Sequence, residues 1–441
     1  MWNADQRRRA LSERLRQLTD AVSGVESQPE VLTTGQKVLL DDLDVAIQGI
    51  TTNFEETWHD FEKVRDLQER ERSRAELCLN FEELVQTLIK EIVPVMTGAS
   101  ASLVPVELEP VVNDEVTAAA PGRNLTPILF STPDFRYAIK LLPSSAEILA
   151  DEGAKNQEFL SLCTPAIGRD SIALHAVLLG HEMGHLRDWQ NDVSKAFDPP
   201  TPQKWRRADG ELDLAHDVAF EAYVNFVADW GEELVSDIFS CLRLGPVALL
   251  AFPEVVGATA HMNHDSLSHP APDRRIRLMA EMLTETGFAE VEQVGEVVKE
   301  YAVTYADAWQ RAIDLRDPDL REAAQEAWRV LRNEIPAFKR RCIASMPTER
   351  IVTPDIWELA LKARNRLREG LPCGEHSAGH ANSIAVILNA AWMVKIEGLV
   401  ALAEIIGGEA ATTKGIGKVS QVLDGLVVKS IEIANMLGRP V

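Results

Sequence analysis

Residues 178–186 read LLGHEMGHL, which places His181, Glu182 and His185 inside an apolar run. Two histidines four residues apart project from one face of a helix and can bind a single tetrahedral zinc ion. Glu182 points aside by about 100° in an α-helix, so its carboxylate can accept a proton from a metal-bound water without being a ligand. This HExxH pattern therefore indicates metal-assisted hydrolysis, in which zinc lowers the pKa of the attacking water.

A zinc site of this kind needs a third protein ligand, and the segment WGEELVSDIFSCLRLGP at 230–246 offers one. Glu233 and Asp237 are four residues apart, so they share a helix face. Glu233 can complete a His₂Glu site, while Asp237 can accept a hydrogen bond from the second nitrogen of a histidine and fix the ring. Glu232 and Glu221 are alternative ligands that the spacing leaves open.

The order HEMGH, ELVSD and SHPAPDRRIRLM (268–279) resembles the HExxH, ExxxD and Ser-His-Pro pattern of gluzincin zinc metallopeptidases. It is similar to the peptidase domain of the CAAX-prenyl-protease and HtpX-type enzymes, although the chain shows no membrane helices of that family. Soluble proteases of the ImmA/IrrE type are a second resemblance. The likeness covers about residues 170–280, so the substrate of those enzymes does not carry over to this chain.

The resemblance implies a role for each residue of the pattern. Zinc ligands are expected at His181, His185 and Glu233, and the general base at Glu182. His269 of Ser-His-Pro is expected to act near the substrate as a catalytic helper. A structural role for His269, as a residue packed at a helix start before proline, stays open.

Two further groups of polar residues lie outside this pattern of ligands and general base. Asp273 and Arg275 are expected to make local salt bridges. The string CGEHSAGH places Cys373, His376 and His380 close together between helices, so a second metal site is an open alternative to a simple linker.

The composition excludes several classes of function. The chain carries 68 acidic and 45 basic residues, a net charge of −23, which argues against binding to nucleic acid or to anionic lipid. No apolar stretch is long enough for a membrane span, and the first residues do not form a secretory signal. Five scattered cysteines do not form a disulfide framework. We therefore expect a cytoplasmic protein without stable membrane insertion.

The pattern of apolar residues predicts a mainly α fold (α+β) in three regions. Residues 1–97 are predicted to form a helical hairpin, coiled-coil-like, because apolar residues recur every three to four positions over 36–61. Residues 98–290 are predicted to hold a zincin-like metallopeptidase domain with a small sheet, and 291–441 a helical domain. The 36–61 helix can pair within the chain or between chains, so a homo-oligomer or a regulatory partner is expected through the N-terminal helices.

Local signals predict the individual elements. Strands are expected at 125–130 and 137–142, and the proline- and glycine-containing segment 97–124 is expected to be a linker with one or two strands. The helices beyond residue 290 are predicted at 291–314, 319–334, 353–368, 380–406 and 416–437.

These observations predict a soluble zinc endopeptidase that cleaves a protein or peptide substrate, with narrow specificity or regulated activation. The alternative is a helical interaction or scaffold protein with a structural or degenerate zinc site. An open fourth coordination position favours the enzyme, whereas a fourth protein ligand favours the scaffold.

Overall fold

A computed structural model of the 441-residue chain describes residues 4–26, 32–88, 95, 106–132, 137–143, 158–165, 171–206, 217–256, 262–376, 382–406 and 413–438. The described residues are mainly helical with one small sheet, which confirms the predicted fold class. The chain divides into two compact units, one formed by residues 1–109 with 121–169 and the other by 110–120 with 170–441.

The first unit contains three long helices, α1 (Ala4–Glu26), α2 (Thr34–Glu62) and α3 (Leu67–Thr87). The helix predicted over 36–61 is confirmed as α2, and Thr33 starts it with a capping box to Gln36. The apolar face of α2 packs within this chain, because α1 and α3 both contact it and share its core. Trp58 lies on this face, and the guanidinium groups of Arg8 and Arg74 lie 4.8 and 4.6 Å from the centre of its ring.

The sheet of the first unit has three strands, β1 (Leu125–Thr132), β2 (Ala138–Leu142) and β3 (Glu158–Pro165). Their order is β1-β3-β2, with β3 parallel to β1 and antiparallel to β2. The strands predicted at 125–130 and 137–142 are confirmed. The central strand β3 was not predicted, because it is buried on both faces and therefore shows no alternation of polar and apolar residues.

The segment 97–124 was predicted to contain strands, and this prediction is wrong for its described part. Residues Val106–Leu108 form a 3₁₀ turn and Glu109–Ala119 form helix α4. Val112, Val116 and Ala119 are buried at helical spacing, so packing of one apolar face outweighs the strand preference of the valines.

All the regular elements in the described residues of the second unit are helices. After α4, its helices are α5 (Ile172–Ala176), α6 (Met183–Asn191), α7 (Asp217–Leu244), α8 (Pro246–Val256), α9 (Pro272–Glu285), α10 (Val294–Thr304), α11 (Pro318–Ser345), α12 (Ile356–Arg368), α13 (Ser383–Ile396), α14 (Val400–Ile406) and α15 (Thr413–Gly438). A π-helical segment, Val177–Glu182, joins α5 to α6, and 3₁₀ turns occur at Gln203–Trp205, Phe288–Glu290, Ala306–Trp309, Thr348–Arg350 and Gly374–His376.

Four of the C-terminal helices differ from their predicted bounds. The helix predicted over 291–314 ends at Thr304, and the one predicted over 380–406 is broken near Gly398, whose φ of 88° is unsuited to a helix. The helix expected from residue 353 begins at Ile356 instead. Helix α11 is longer than predicted because its apolar face continues to Cys342 against α7.

Helix α7 is the central element of the second unit, because it packs along α11 on one side and along α6 on the other. Its residues from Gly231 to Leu244 are almost all buried. Within the described residues, no single helix has both the length and the apolar character needed to cross a membrane, although α13 and α14, bent by 92°, meet the criteria as a pair.

Candidate metal centre

The HExxH segment begins in a π-helix and ends in an α-helix. His181 and Glu182 lie in the π segment and His185 lies in α6. One π turn inside a helix changes the direction of the side chains that follow, and such turns recur at functional sites. The sequence predicted a helix here but not its π-helical segment, because a single π turn cannot be recognised from the spacing of the apolar residues.

Two glycines let α7 approach the HExxH segment closely. A Cβ atom placed on Gly184 would lie 2.8 Å from both the Cα and the carbonyl oxygen of Ser236, and one on Gly180 would lie 2.3 Å from the Ser240 Oγ. Since a backbone cannot move aside as a side chain can, position 184 admits no larger residue without separating the two segments.

Replacement of Gly184 by alanine is therefore expected to lower the free energy of unfolding by about 1–3 kcal/mol through overpacking. Gly231→Ala is the matched control, because its Cβ would meet only ordinary contacts, the nearest at 3.6 Å from Leu331. Urea denaturation of both variants measures the difference. Equal stability of the two variants would contradict the close approach of the helices.

The structure brings His181, His185 and Glu233 together. One nitrogen of each ring and a carboxylate oxygen all lie within 4.8 Å of one another, a spacing that could hold a metal ion. The Glu233 carboxylate spans the two rings, with Oε2 at 3.2 Å from the His181 Nε2 and Oε1 at 3.4 Å from the His185 Nε2. The alternatives Glu232 and Glu221 are not part of this group, and Glu221 is exposed on α7.

Asp237 lies one turn beyond Glu233 and contacts the other side of His181. Its Oδ1 is 3.1 Å from the His181 Nδ1, so the Nδ1–H can donate to it and leave Nε2 facing Glu233. Burial of His181 opposes its protonation, but Glu233 and the hydrogen bonds to Asp237 and Glu233 outweigh burial and raise the pKa to about 10. The two carboxylates thus orient the ring and increase its basicity.

Arg275, at the start of α9, is a member of the site that the sequence did not predict. It was expected to make a local salt bridge, whereas its Nε and Nη2 donate to both oxygens of Asp237 at 2.7 and 2.8 Å. Its Nη1 also lies 2.9 Å from the Glu233 Oε2. The arginine is buried, so it supplies the positive charge that two buried carboxylates on one helix face require. The sequence could have indicated this role of Arg275, because two acidic residues on one buried helix face need a positive charge nearby.

Glu182 is 5% exposed and lies outside the group of three ligand atoms. Burial raises the pKa of its carboxyl above the ordinary value, although the nearby His181 and His185 oppose the rise. A carboxylate with a raised pKa binds a proton more readily than a solvated one, which suits a general base.

His269 lies at the edge of the group. Its Nε2 is 3.4 Å from the Glu233 Oε1, its Nδ1 is 2.7 Å from the Ser268 Oγ, and its side chain is 52% exposed. The loop 262–270 that carries His269 is held by a hydrogen bond from the Trp230 Nε1 to the Ser266 carbonyl. The structure thus places His269 beside the group but open to solvent.

The donors of this group fit a divalent metal ion. The Glu233 Oε2 is buried and, among the described residues, accepts no hydrogen bond of good geometry, although the Arg275 Nη1 and the His181 Nε2 lie 2.9 and 3.2 Å from it. Burial would raise the pKa of Glu233, but Arg275 and His181 hold it well below the ordinary range, so the carboxylate is ionised. Two imidazoles and one carboxylate are a donor set typical of zinc.

A buried ionic cluster lies along the same helix. Glu115 of α4 binds the guanidinium groups of three arginines, Arg187 of α6, Arg243 of α7 and Arg350. Arg187 follows His185 by two residues, and all of these groups except Arg350 are almost fully buried. The cluster ties α4 to α6 and α7, which carry His185 and Glu233.

The second metal site considered from the sequence is not among the described groups of possible ligands. Cys373 is buried, and its backbone N–H donates to the Ser430 Oγ at 2.9 Å. His380 and the side chain of His376 lie outside the described residues.

Comparisons of this chain with models of protein families, with characterised proteins and with solved structures find no significant match. The geometry of the second unit is therefore the basis for any statement about what the site does.

Proposed function

We propose that the chain is a zinc-dependent endopeptidase that acts on a protein or peptide substrate with narrow specificity or regulated activation. The observation that carries the proposal is the convergence of His181, His185 and Glu233 on one point, with the buried Glu182 beside them. This combination of two imidazoles, a carboxylate ligand and a separate carboxylate suits hydrolysis by a metal-activated water.

In this proposal the three ligands would hold zinc, which lowers the pKa of a bound water and polarises the scissile carbonyl. Glu182 would accept the proton of that water and pass it to the leaving amine. Asp237 keeps the Nδ1 of His181 protonated, so that Nε2 is the ligand atom. Arg275 holds Glu233 and Asp237 in place.

His269 has a role in this proposal that follows from its exposure. Its imidazole borders the group at Glu233 and faces solvent, where a substrate carbonyl would enter. A neutral Nε2–H there can donate to the oxyanion of the tetrahedral intermediate. The side chain of His269 is only half-buried, and this partial burial lowers the pKa of the ring, which favours the neutral form, while Glu233 opposes the shift.

Metal binding tests the proposal directly. The purified chain is expected to bind one zinc ion, to lose peptide hydrolysis when a chelator removes it and to regain hydrolysis when zinc is restored. Glu233→Gln is expected to weaken zinc binding by more than the roughly 10–100-fold typical of a lost outer-shell group. Elemental analysis and a competition titration measure both effects.

Glu232→Gln is the matched control for this experiment, because Glu232 neighbours Glu233 in the chain but is not part of the ligand group. It is expected to bind zinc like the unaltered chain. Equal loss of zinc in both variants would contradict the assignment of Glu233.

One observation favours a second candidate, a helical scaffold protein with a degenerate site. Arg275 lies 2.9 Å from the Glu233 Oε2 and 3.2 Å from the His181 Nε2, so its guanidinium already pairs with one ligand carboxylate and lies within hydrogen-bond distance of a ligand imidazole. A scaffold of this kind would remain folded without zinc and would show no hydrolysis in its presence. The zinc titration above, combined with an assay of hydrolysis, separates the two candidates.

We further propose that the chain functions in the reducing cytoplasm. The support is that all five cysteines are buried and none forms a disulfide bond, whereas disulfide bonds are usual in an oxidising compartment.

A further inference from the structure

A pocket of the second unit lies between the 3₁₀ turn at Ala306–Trp309 and α11. Its volume is about 340 Å³, and it is open to solvent on one side. Its walls include two tryptophans, Trp309 and Trp328, which meet edge to face with their ring centroids 6.1 Å apart. Such a pocket is large enough for a small organic ligand with a planar body.

Three arginines also line this pocket, and two of them already have carboxylate partners. Arg311 binds Asp273 through two nitrogens, and Arg329 binds Glu326 at 2.9 Å. Arg332 is different, because within the part of the chain that the structure describes it makes no ion pair and donates only one long hydrogen bond, at 3.4 Å, to the Trp309 carbonyl. Its guanidinium is therefore uncompensated, although the chain as a whole carries a net charge of −23.

The charge of this pocket indicates the chemical class of ligand that it can bind. One uncompensated guanidinium balances a single negative charge, and its planar pair of N–H groups matches a carboxylate. A phosphate carries nearly two charges at neutral pH and would need a second free cation. The tryptophan rings favour a planar apolar body beside the carboxylate.

The pocket is also connected to the candidate metal centre. Arg274 lies 4.6 Å above the ring of Trp328, donates to the carbonyl of Arg311 and precedes Arg275 in the chain. Arg311 itself donates to the Asn263 carbonyl in the loop 262–270, which carries His269. Movement of the pocket walls would therefore reach both the first turn of α9 and the loop of His269.

We propose that this pocket binds a small planar carboxylate through Arg332 and that the bound ligand acts as an effector of the metal centre. The first part, binding of the carboxylate, depends only on the residues that line the pocket. The second part rests on the proposed function, since it assigns a regulatory ligand to that centre.

Calorimetric titration of the full chain with 2-naphthoate tests the first part, and the uncharged 2-naphthamide is the matched probe. We expect saturable binding of one naphthoate per chain and at least about tenfold weaker binding of the amide. Arg332→Gln is expected to weaken naphthoate binding by at least about tenfold, and Arg332→Lys by less. Arg340→Gln on the same helix, at an exposed position away from the pocket, is expected to bind like the unaltered chain.

Four results would overturn the assignment of the site. These are no binding of naphthoate, equal binding of the amide, the same loss in both glutamine variants, or displacement of naphthoate by a lower concentration of inorganic phosphate. Thermal melts of each variant test whether the fold is retained, and a loss of binding is assigned to the pocket only for a variant that melts like the unaltered chain.

Hydrogen exchange with and without naphthoate tests the effector part. We expect slower exchange over residues 262–275 in the bound state, and unchanged exchange there would overturn this part. Neither measurement uses zinc or peptide hydrolysis, so both remain valid if the chain is not a peptidase.

Discussion

Replacement of Glu182 by glutamine is expected to lower peptide hydrolysis by about 10²–10⁴-fold while zinc content stays the same. The amide has nearly the shape of the carboxylate but cannot accept the proton of the attacking water. Because Glu182 is not one of the three converging ligand groups, its loss leaves the metal-binding atoms intact. Assays of hydrolysis and of bound zinc on the same sample measure the two effects together.

Glu221→Gln is the control for this substitution, since Glu221 is an exposed glutamate of α7 and its loss removes the same charge. It is expected to leave the rate unchanged. Equal cleavage by the Glu182→Gln variant and the unaltered chain would exclude the proposed mechanism. A parallel loss of zinc and rate would instead assign Glu182 to metal binding.

Replacement of Glu115 by glutamine is expected to lower the free energy of unfolding by about 3–5 kcal/mol, because it leaves buried arginines without their counter-charge. Burial would raise the pKa of Glu115, but Arg243, Arg350 and Arg187 outweigh it and lower the pKa below the ordinary value. The carboxylate is therefore ionised at neutral pH. Urea denaturation measures the loss.

The pH dependence of stability gives a second reading of the same group. Since the pKa of Glu115 is lower in the folded than in the unfolded chain, its contribution is complete above the unfolded value of about 4.3 and is lost as the pH falls through the folded value. The glutamine variant is expected to lack this part of the acid sensitivity.

Asp114→Asn provides the matched control for the Glu115 variant. Asp114 is the preceding residue and pairs with Arg350 at 2.8 Å, but its side chain is 65% exposed. Solvent screens such a pair, so the expected loss is about 1 kcal/mol or less. If the free energy of unfolding fell as little in the Glu115 variant as is expected for the Asp114 variant, the buried cluster would not stabilise the second unit.

Much of the fold was open to prediction from local patterns. The α2 helix follows from apolar residues every three to four positions, and β1 and β2 follow from short β-branched and apolar runs. The strand β3 was missed, and helix α4 was taken for strands, because both depend on what packs against them.

The sequence by itself determined which residues could form a metal centre, because HExxH and ExxxD each specify a helix face through spacing alone. Only the tertiary structure decided that these faces meet, that Gly184 allows α7 to approach, and that Arg275 binds both acidic residues. The physical reason is the distance along the chain over which each property is determined. Helical spacing is a local property of the chain, whereas burial and charge balance depend on segments that are distant in sequence.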